Sequence, residues 1–336
     1  MTLTPIELLA DLSKSGLPTN NPIIALSEGE DPRVLAGGLA AHEAGLADVI
    51  FIGRASEIGA DGASVHDPAT SDLTEGFARA YYALRKHKGI DEDQARASVE
   101  APLVYAAMLV REGHATGTVG GAVASTSDVV RTAIQVIGKA PDAAMVSSYF
   151  AMYPPEDAGD LARAMIYSDS GLVIDPSSEE LAAIALQSSA SCRALLRQEP
   201  QVAMLSFSTK GSARHEKVGK VTDALALLRE AHPDLKVDGE LQFDAAFVPS
   251  VGERKAPASD VAGRANVMIF PNLDAGNISY KITQRVGGYA AIGPILQGLA
   301  RPANDLSRGC SAEDVTQMIA VTVLQAMALH ETGSAP

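Results

Sequence analysis

The feature that most constrains this chain is its rhythm. Short apolar runs alternate with stretches of helical periodicity almost from end to end. Pro22–Leu26 reads as a strand and Arg33–Gly45 as the helix after it. Asp48–Gly53 is the next strand, Leu73–Lys86 the next helical pattern, Thr116–Val119 a strand that ends in Gly120-Gly121, and Ser127–Gly138 a helix. The pattern resumes with strands at Ala164–Tyr167, Val202–Phe207, Val237–Gly239 and Val267–Phe270, and closes on a helix over Asp314–His330. Strands that alternate with helices predict α/β architecture with parallel sheets and right-handed crossovers. A length of 336 residues suits two domains, with a weak boundary signal near Pro141–Ser148.

Composition agrees with buried parallel strands. Aromatic residues are 4% of the chain and there is no Trp, so a core must be built from Ala, Val, Ile and Leu. The net charge of -14 disfavours nucleic acid and anionic membranes as partners. No apolar run is long enough to cross a bilayer. The start, MTLTPIELLADLSKSG, reads as a short amphipathic helix and not as a signal peptide. Two cysteines, Cys192 and Cys310, are too few for a disulfide framework and fit a reducing, cytoplasmic setting. The seven histidines are dispersed, so no metal site is expected.

Against this acidic background, basic residues collect in two glycine-rich stretches. Lys281, Arg285, Arg301 and Arg308 share Ala275–Cys310 with one acid, Asp305. Lys210, Arg214, Lys217 and Lys220 share Gln201–Val221 with Glu216. Such clusters can handle an anion, and Gly276, Gly287, Gly288, Gly293 and Gly298 would allow backbone amides close to it. A solvated basic face accounts for the same charges. Thr118–Asp128 is a second candidate: a strand runs through glycines into a Ser/Thr-rich helix start, with Arg131 on the first turns. Ordinary capping by Ser125 or Ser127 is the competing reading. Ser208–Ser212 lacks the order of a phosphate loop, no dinucleotide fingerprint follows a strand, and no nucleophile elbow is present.

Ser307–Asp314 carries the densest chemistry. A hydroxyl, a guanidinium and a carboxylate lie within eight residues, with Gly309 between them. Those types suit acyl transfer: a donor for a developing oxyanion, a clamp for phosphate and an acceptor for a thiol proton. Ser311-Ala312-Glu313-Asp314 also has the form of a capping box, which gives Asp314 a purely structural role. Cys310 beside Arg308 reads as a buried thiol or, alternatively, an activated one.

The stretch PNLDAGNISYKITQRVGGYAAIGPILQGLARPANDLSRGCSAEDV, Pro271–Val315, closely resembles the phosphate acetyltransferase family. So do ALSEGEDPRVL (Ala25–Leu35), LRKHKG (Leu84–Gly89), STSDVVRTAIQVI (Ser125–Ile137), VAMLSFSTKGSARH (Val202–His215) and DGELQFDAA (Asp238–Ala246), in consistent order along the chain. The resemblance implies two parallel-sheet α/β domains with a cleft between them, similar to isocitrate and isopropylmalate dehydrogenases. One domain would take residues 1–142 plus 300–336 and the other 143–299. It implies reversible acyl transfer between acetyl phosphate and coenzyme A by a homodimer with no tightly bound cofactor.

By resemblance, Asp314 takes the thiol proton, Ser307 positions the thiol or steadies the tetrahedral intermediate, and Arg308 binds the acyl phosphate. Arg85 and Arg131 hold phosphates of coenzyme A or substrate. Lys281 and Arg285 sit in the family's Tyr-Lys-x-x-Gln-Arg block, and Ser125 and Thr126 in its Ser/Thr loop. Two departures stand out: Ala124 where a His precedes Ser-Thr, and SGLVIDP after Asp169 where Asn-Pro is usual. The alternatives are a propionyl- or butyryltransferase of the same chemistry, or a non-catalytic sensor of coenzyme A or acyl phosphate.

Overall fold

The computed structural model describes residues 2–14, 22–59 and 63–331. The chain divides into two compact units. A terminal unit comprises Leu3–Pro141 and Leu299–Pro336, and a central unit comprises Asp142–Gly298 together with the first two residues.

The terminal unit is built on five strands: β1 (Ile23–Leu26), β2 (Asp48–Ile52), β3 (Ser64–His66), β4 (Gly117–Gly120) and a last strand at Ala303–Asp305, β11 in chain order. They lie in the order β11-β4-β1-β2-β3, and every pairing is parallel. The strand order reverses between β1 and β4, since β1 continues to β2 on one side and the chain returns to β4 on the other. In open parallel sheets this switch point, at the carboxyl ends of the strands, is where ligands bind.

Two helices fix that edge. Asp31 caps the helix Pro32–Glu43 by accepting from the Arg33 amide, with Pro32 at the first helical position, where its missing N–H costs nothing. The last helix, Ala312–Glu331, packs against it through Gly37, where an added Cβ would lie 2.6 Å from that of Val315. Thr316 donates to the Gly37 carbonyl at 3.0 Å and locks the contact. The expected helix over Ser127–Gly138 is an α-helix over Thr126–Thr132 that relaxes into a single π-turn over Ala133–Ile137. The amphipathic start forms the helix Pro5–Lys14, burying Leu8 and Leu9. Met1 and residues 15–16 of that expectation lie outside the described residues.

The central unit holds β5 (Ser147–Tyr153), β6 (Met165–Ser168), β7 (Val202–Leu205), β8 (Val237–Leu241), β9 (Val267–Ile269) and β10 (Ala290–Gln297), in the order β10-β5-β6-β9-β7-β8. This sheet is mixed and not wholly parallel: β5 runs against both β6 and β10. All seven β5 residues are buried, so the strand carries no polar–apolar alternation to mark it in sequence. The core behind the sheet includes Met152, Tyr167, Leu205, Leu241 and Met268. Of the glycines expected to admit a ligand, Gly276, Gly287, Gly293 and Gly298 face protein instead, and Gly288 meets only Pro155 Cγ at 3.7 Å. A Cβ on Gly293 would lie 2.7 Å from the Phe150 ring, and one on Gly276 would lie 2.7 Å from Ser170 Oγ. Among the described residues no helix is long and apolar enough to cross a membrane.

Candidate active site

Three loops leave the carboxyl edge of the terminal sheet side by side: Ser27–Asp31 after β1, leading into the helix that carries Arg33, Gly121–Ser125 after β4, and Leu306–Ser311 after β11. Their backbones are tied together. The Leu306 amide donates to Gly120 O at 2.6 Å and the Ser27 amide to Val119 O at 3.1 Å.

Glu28 fills the loop after β4. Its Oε2 accepts from the amides of Gly121 (2.9 Å) and Ala122 (2.7 Å), and its Oε1 from those of Val123 (3.1 Å) and Ala124 (2.7 Å). Four convergent amides make an anion-binding concavity of the kind the sequence suggested for Thr118–Asp128. The anion in it is the protein's own carboxylate, so this loop is not an open phosphate cradle. A pocket of about 390 Å³ opens beside it, lined among others by Ser27, Glu28, Ile52, Leu103 and Val123.

Arg33 joins all three loops. Its guanidinium pairs with Asp31 (Nε–Oδ1 3.0 Å, Nη2–Oδ2 2.8 Å) and donates to Ala122 O (2.9 Å), Arg308 O (2.7 Å) and Cys310 O (3.2 Å). The Arg33 guanidinium holds the Asp31 carboxyl below the usual carboxylate range despite partial burial. This pair fixes the turn that carries the densest chemistry.

In that turn Ser307, Arg308 and Gly309 are exposed. Ser307 O accepts from the Cys310 amide at 2.9 Å, and Ser307 Oγ from the Gly309 amide at 3.2 Å. Among the described residues the Arg308 guanidinium has no ion-pair or hydrogen-bond partner. The same holds for the Arg285 and Arg301 side chains, and Lys281 meets no acid, its ammonium resting on Tyr280 Oη at 2.7 Å. The other basic cluster is partly neutralised, Lys210 by Asp238 and Lys220 by Asp175.

Asp314 opens the last helix as a capping residue. Its Oδ2 accepts from the Ser311 amide (2.8 Å) and hydroxyl (2.9 Å), and its own amide donates to Ser311 Oγ at 3.2 Å. Both readings of Asp314 therefore meet in one geometry: Oδ2 is used in the cap, while Oδ1 carries no hydrogen bond among the described residues. Cys310 is 6% exposed and burial pushes its thiol up, with Arg33 opposing, so the activated-thiol reading fails.

The remaining candidates fall into three groups. Ser125 caps the helix Thr126–Thr132, accepting from the Asp128 amide and donating to Asp128 Oδ2 at 2.7 Å, and Thr126 donates to Asp305 Oδ2 at 2.6 Å. Arg131, on that helix, pairs with Asp128 at 2.8 Å and is 57% exposed. Arg85 ends the helix Thr74–Arg85, and no hydrogen bond or ion pair connects it with the Ser307 turn. Lys281 and Arg285 belong to the helix Leu273–Arg285 of the central unit.

Sequence reasoning missed Glu28, Arg33 and Asp305. Glu28 and Arg33 lie in the ALSEGEDPRVL block, so the signal was present, but nothing local says what a Glu or Arg there will touch 96 or 275 residues away.

The comparisons with known proteins identify the family. The chain is 51% identical to a phosphate acetyltransferase of Paracoccus denitrificans over 303 residues, which covers 90% of this chain and 94% of that one. It is 45% identical to a phosphate acetyltransferase of Thermoanaerobacterium thermosaccharolyticum over 328 residues, covering 96% and 99%. Its structure is similar to that of the EutD phosphotransacetylase from Staphylococcus aureus, with a TM-score of 0.86 at 40% identity and coverage of 96% and 99%. The family model described as phosphate acetyl/butaryl transferase matches residues 10–323, and the chain belongs to that family.

Proposed function

We propose that this protein is a phosphate acetyltransferase that moves an acetyl group reversibly between coenzyme A and phosphate, by direct thiolate attack in a ternary complex. The observation that carries the reading is the Ser307–Asp314 turn. A guanidinium unpaired among the described residues, an exposed hydroxyl and a carboxylate with one oxygen left out of its cap lie within eight residues of one another, just after a strand end where parallel sheets present ligands, in a chain of this family.

In the direction of acetyl-CoA synthesis, Asp314 Oδ1 accepts the proton from the coenzyme A thiol as sulfur attacks the acetyl carbonyl. The C–S bond forms, the C–O bond to phosphate breaks, and inorganic phosphate leaves. Arg308 takes the charge that builds on the departing phosphate, and a charge-assisted, bidentate contact suits that task. Ser307 Oγ donates to the developing oxyanion. A thiol of pKa about 8.5 is a weak acid towards a carboxylate, so proton transfer must accompany C–S bond formation. The capping bonds from Ser311 hold the carboxylate in place, and the helix N-terminus favours its negative charge. In reverse, a phosphate oxygen attacks acetyl-CoA and the leaving thiolate recovers the proton.

Arg85 and Arg131 are the terminal unit's candidates for coenzyme A or substrate phosphates, and Lys281 and Arg285 are those of the central unit. Ser125 and Thr126 contribute by shaping the loop they anchor. Longer acyl chains are the second reading, favoured by the family's breadth. One methylene is worth only about 1–3 kcal/mol in a pocket, so propionyl-CoA should be a side substrate. We assign a cytoplasmic location in acetate metabolism, supported by two buried free cysteines. A homodimer is supported by the stripe Ile278, Ile282 and Val286, spaced one helical turn apart and 57%, 55% and 83% exposed.

Thiol release from acetyl-, propionyl- and butyryl-CoA in the presence of phosphate tests the reading. Release that is fastest with acetyl-CoA is expected. No release with any of the three would sink it.

A further inference from the structure

We propose that Asp305 is a positioning residue for the reaction: its buried carboxyl, through Thr126 and against Gly121, sets the loop after β4 in place relative to the turn that carries Ser307 and Arg308. This inference rests on the acyl-transfer reading only for its kinetic consequence.

Asp305 is the last residue of β11, paired in register with Gly120 of β4, and it stands two residues before Ser307. Its side chain is 0% exposed. A carboxyl group shut away from water is costly unless it is neutral or satisfied, and this one is neither paired with a base nor fully hydrogen bonded. Oδ2 accepts from Thr126 Oγ1 at 2.6 Å, and Oδ1 has no partner among the described residues.

The carboxyl touches the neighbouring loop at two points. Besides the Thr126 hydroxyl, Oδ1 occupies the place where a side chain on Gly121 would begin. Gly121 also has φ +105°, and its missing Cβ would crowd Leu306 O (2.8 Å) and Leu306 N (2.9 Å). Only glycine lets the two loops close to this distance. On the other side of the same loop, Glu28 takes four amides. The loop is held between two carboxyl groups, and one of them is joined through a single peptide step, Leu306, to the reactive turn. Its burial and the Glu28 charge hold the Asp305 carboxyl at about 7, so near neutral pH it retains much of its proton.

A purely structural carboxyl in this place would be better replaced by an apolar group of the same shape, because an unpartnered buried oxygen destabilises. The arrangement therefore trades stability for a defined loop position, as strained or unsatisfied groups near functional sites do. Displacement of a positioned group by about 1 Å can lower the rate by about 100-fold.

The test uses the full chain with Asp305→Ala and Asp305→Asn, read by acetyl-transfer kinetics and by amide hydrogen exchange. Asp305→Ala should lower kcat about 10- to 100-fold with both Michaelis constants within about threefold. It should also speed exchange at residues 120–126 and 306–310 while β2 stays protected. Asp305→Asn keeps an acceptor for Thr126 and should restore kcat to within about threefold of the parent. If Asp305→Ala does not fold, Thr126→Val removes the donor and should give the same split. Unchanged kcat and exchange in the alanine or valine variant, or no rescue by asparagine, would overturn the inference. A parent protein without acetyl transfer whose loop exchange still responds to Asp305→Ala would sink the functional reading and leave the positioning of the loops standing.

Discussion

Arg33 donates to the main-chain oxygen of Arg308 at 2.7 Å, so one arginine holds another's backbone and leaves its guanidinium exposed. Arg33 is itself clamped by Asp31, at the cap of a helix that packs on the last helix through Gly37. The turn bearing Ser307 is thus tied to rigid elements on both sides, as a pre-organised site requires.

Replacing Arg33 should therefore affect both folding and rate. Arg33→Met leaves the Asp31 carboxylate unpaired and three carbonyls without a donor. A lower urea midpoint than the parent's is expected, with kcat falling more than tenfold. Arg33→Lys keeps the charge but cannot reach three loops at once, and should recover less than half of the lost stability.

Asp314→Asn separates the two uses of that residue. Asparagine can still accept from the Ser311 amide, so unfolding free energy should change by under about 1 kcal/mol. It cannot accept the thiol proton, so kcat should fall at least 100-fold with modest change in KM. An unchanged kcat would remove Asp314 as the base.

Arg308→Gln should leave stability within about 0.5 kcal/mol, because the side chain is exposed and unpaired. Loss of a charge-assisted phosphate contact should raise KM for acetyl phosphate and lower kcat, about 100-fold or more in kcat/KM. Steady-state kinetics beside a thermal melt distinguish the two effects.

Glu28→Ala empties a concavity of four amides. The variant should unfold more readily than the parent by about 2–4 kcal/mol. Millimolar phosphate or sulfate should raise its Tm more than the parent's, since the vacated amides can take an anion. Equal responses to anion in the two proteins would contradict the role given to Glu28.

Asp305 gives a pH dependence of defined sign. Its carboxyl is raised from the ordinary 3.8 to about 7 by burial, with Glu28 adding to the effect. The folded state then binds more protons than the unfolded state between about pH 4 and 7, so this group's contribution to stability falls as pH rises through that window and is level above it. Asp305→Asn abolishes that slope. Relative to the parent, the variant should gain stability between pH 4 and pH 8, on the order of a few kcal/mol, in urea titrations at fixed pH values.

Much of this protein was legible in its sequence. β1, β2, β4, β6, β7, β8 and β9 lie within a few residues of the runs that announced them, and β1, β7 and β9 are apolar strands whose burial leaves a continuous signature. The capping box at Ser311–Asp314 was readable because a cap is a contact between residues three apart. The strands β3, β5, β10 and β11 were not: β3 and β11 are three residues long, β5 opens on two serines, and its reversal against β6 and β10 is a long-range pairing that no local pattern announces.

For the site, the sequence by itself determined which segment carries the chemistry, through the hydroxyl, guanidinium and carboxylate packed into Ser307–Asp314. Tertiary structure alone decided which polar groups are spent inside the protein and which remain for a ligand. The Gly121–Ala124 amides are taken by Glu28, Ser125 and Thr126 are engaged by Asp128 and Asp305, and Arg308, its backbone held by Arg33, has an exposed guanidinium with no partner among the described residues. The physical reason is range. Strand burial and helix caps arise from neighbours in sequence, whereas the filling of an anion cradle depends on groups about 95 residues apart that only the parallel sheet brings to one edge.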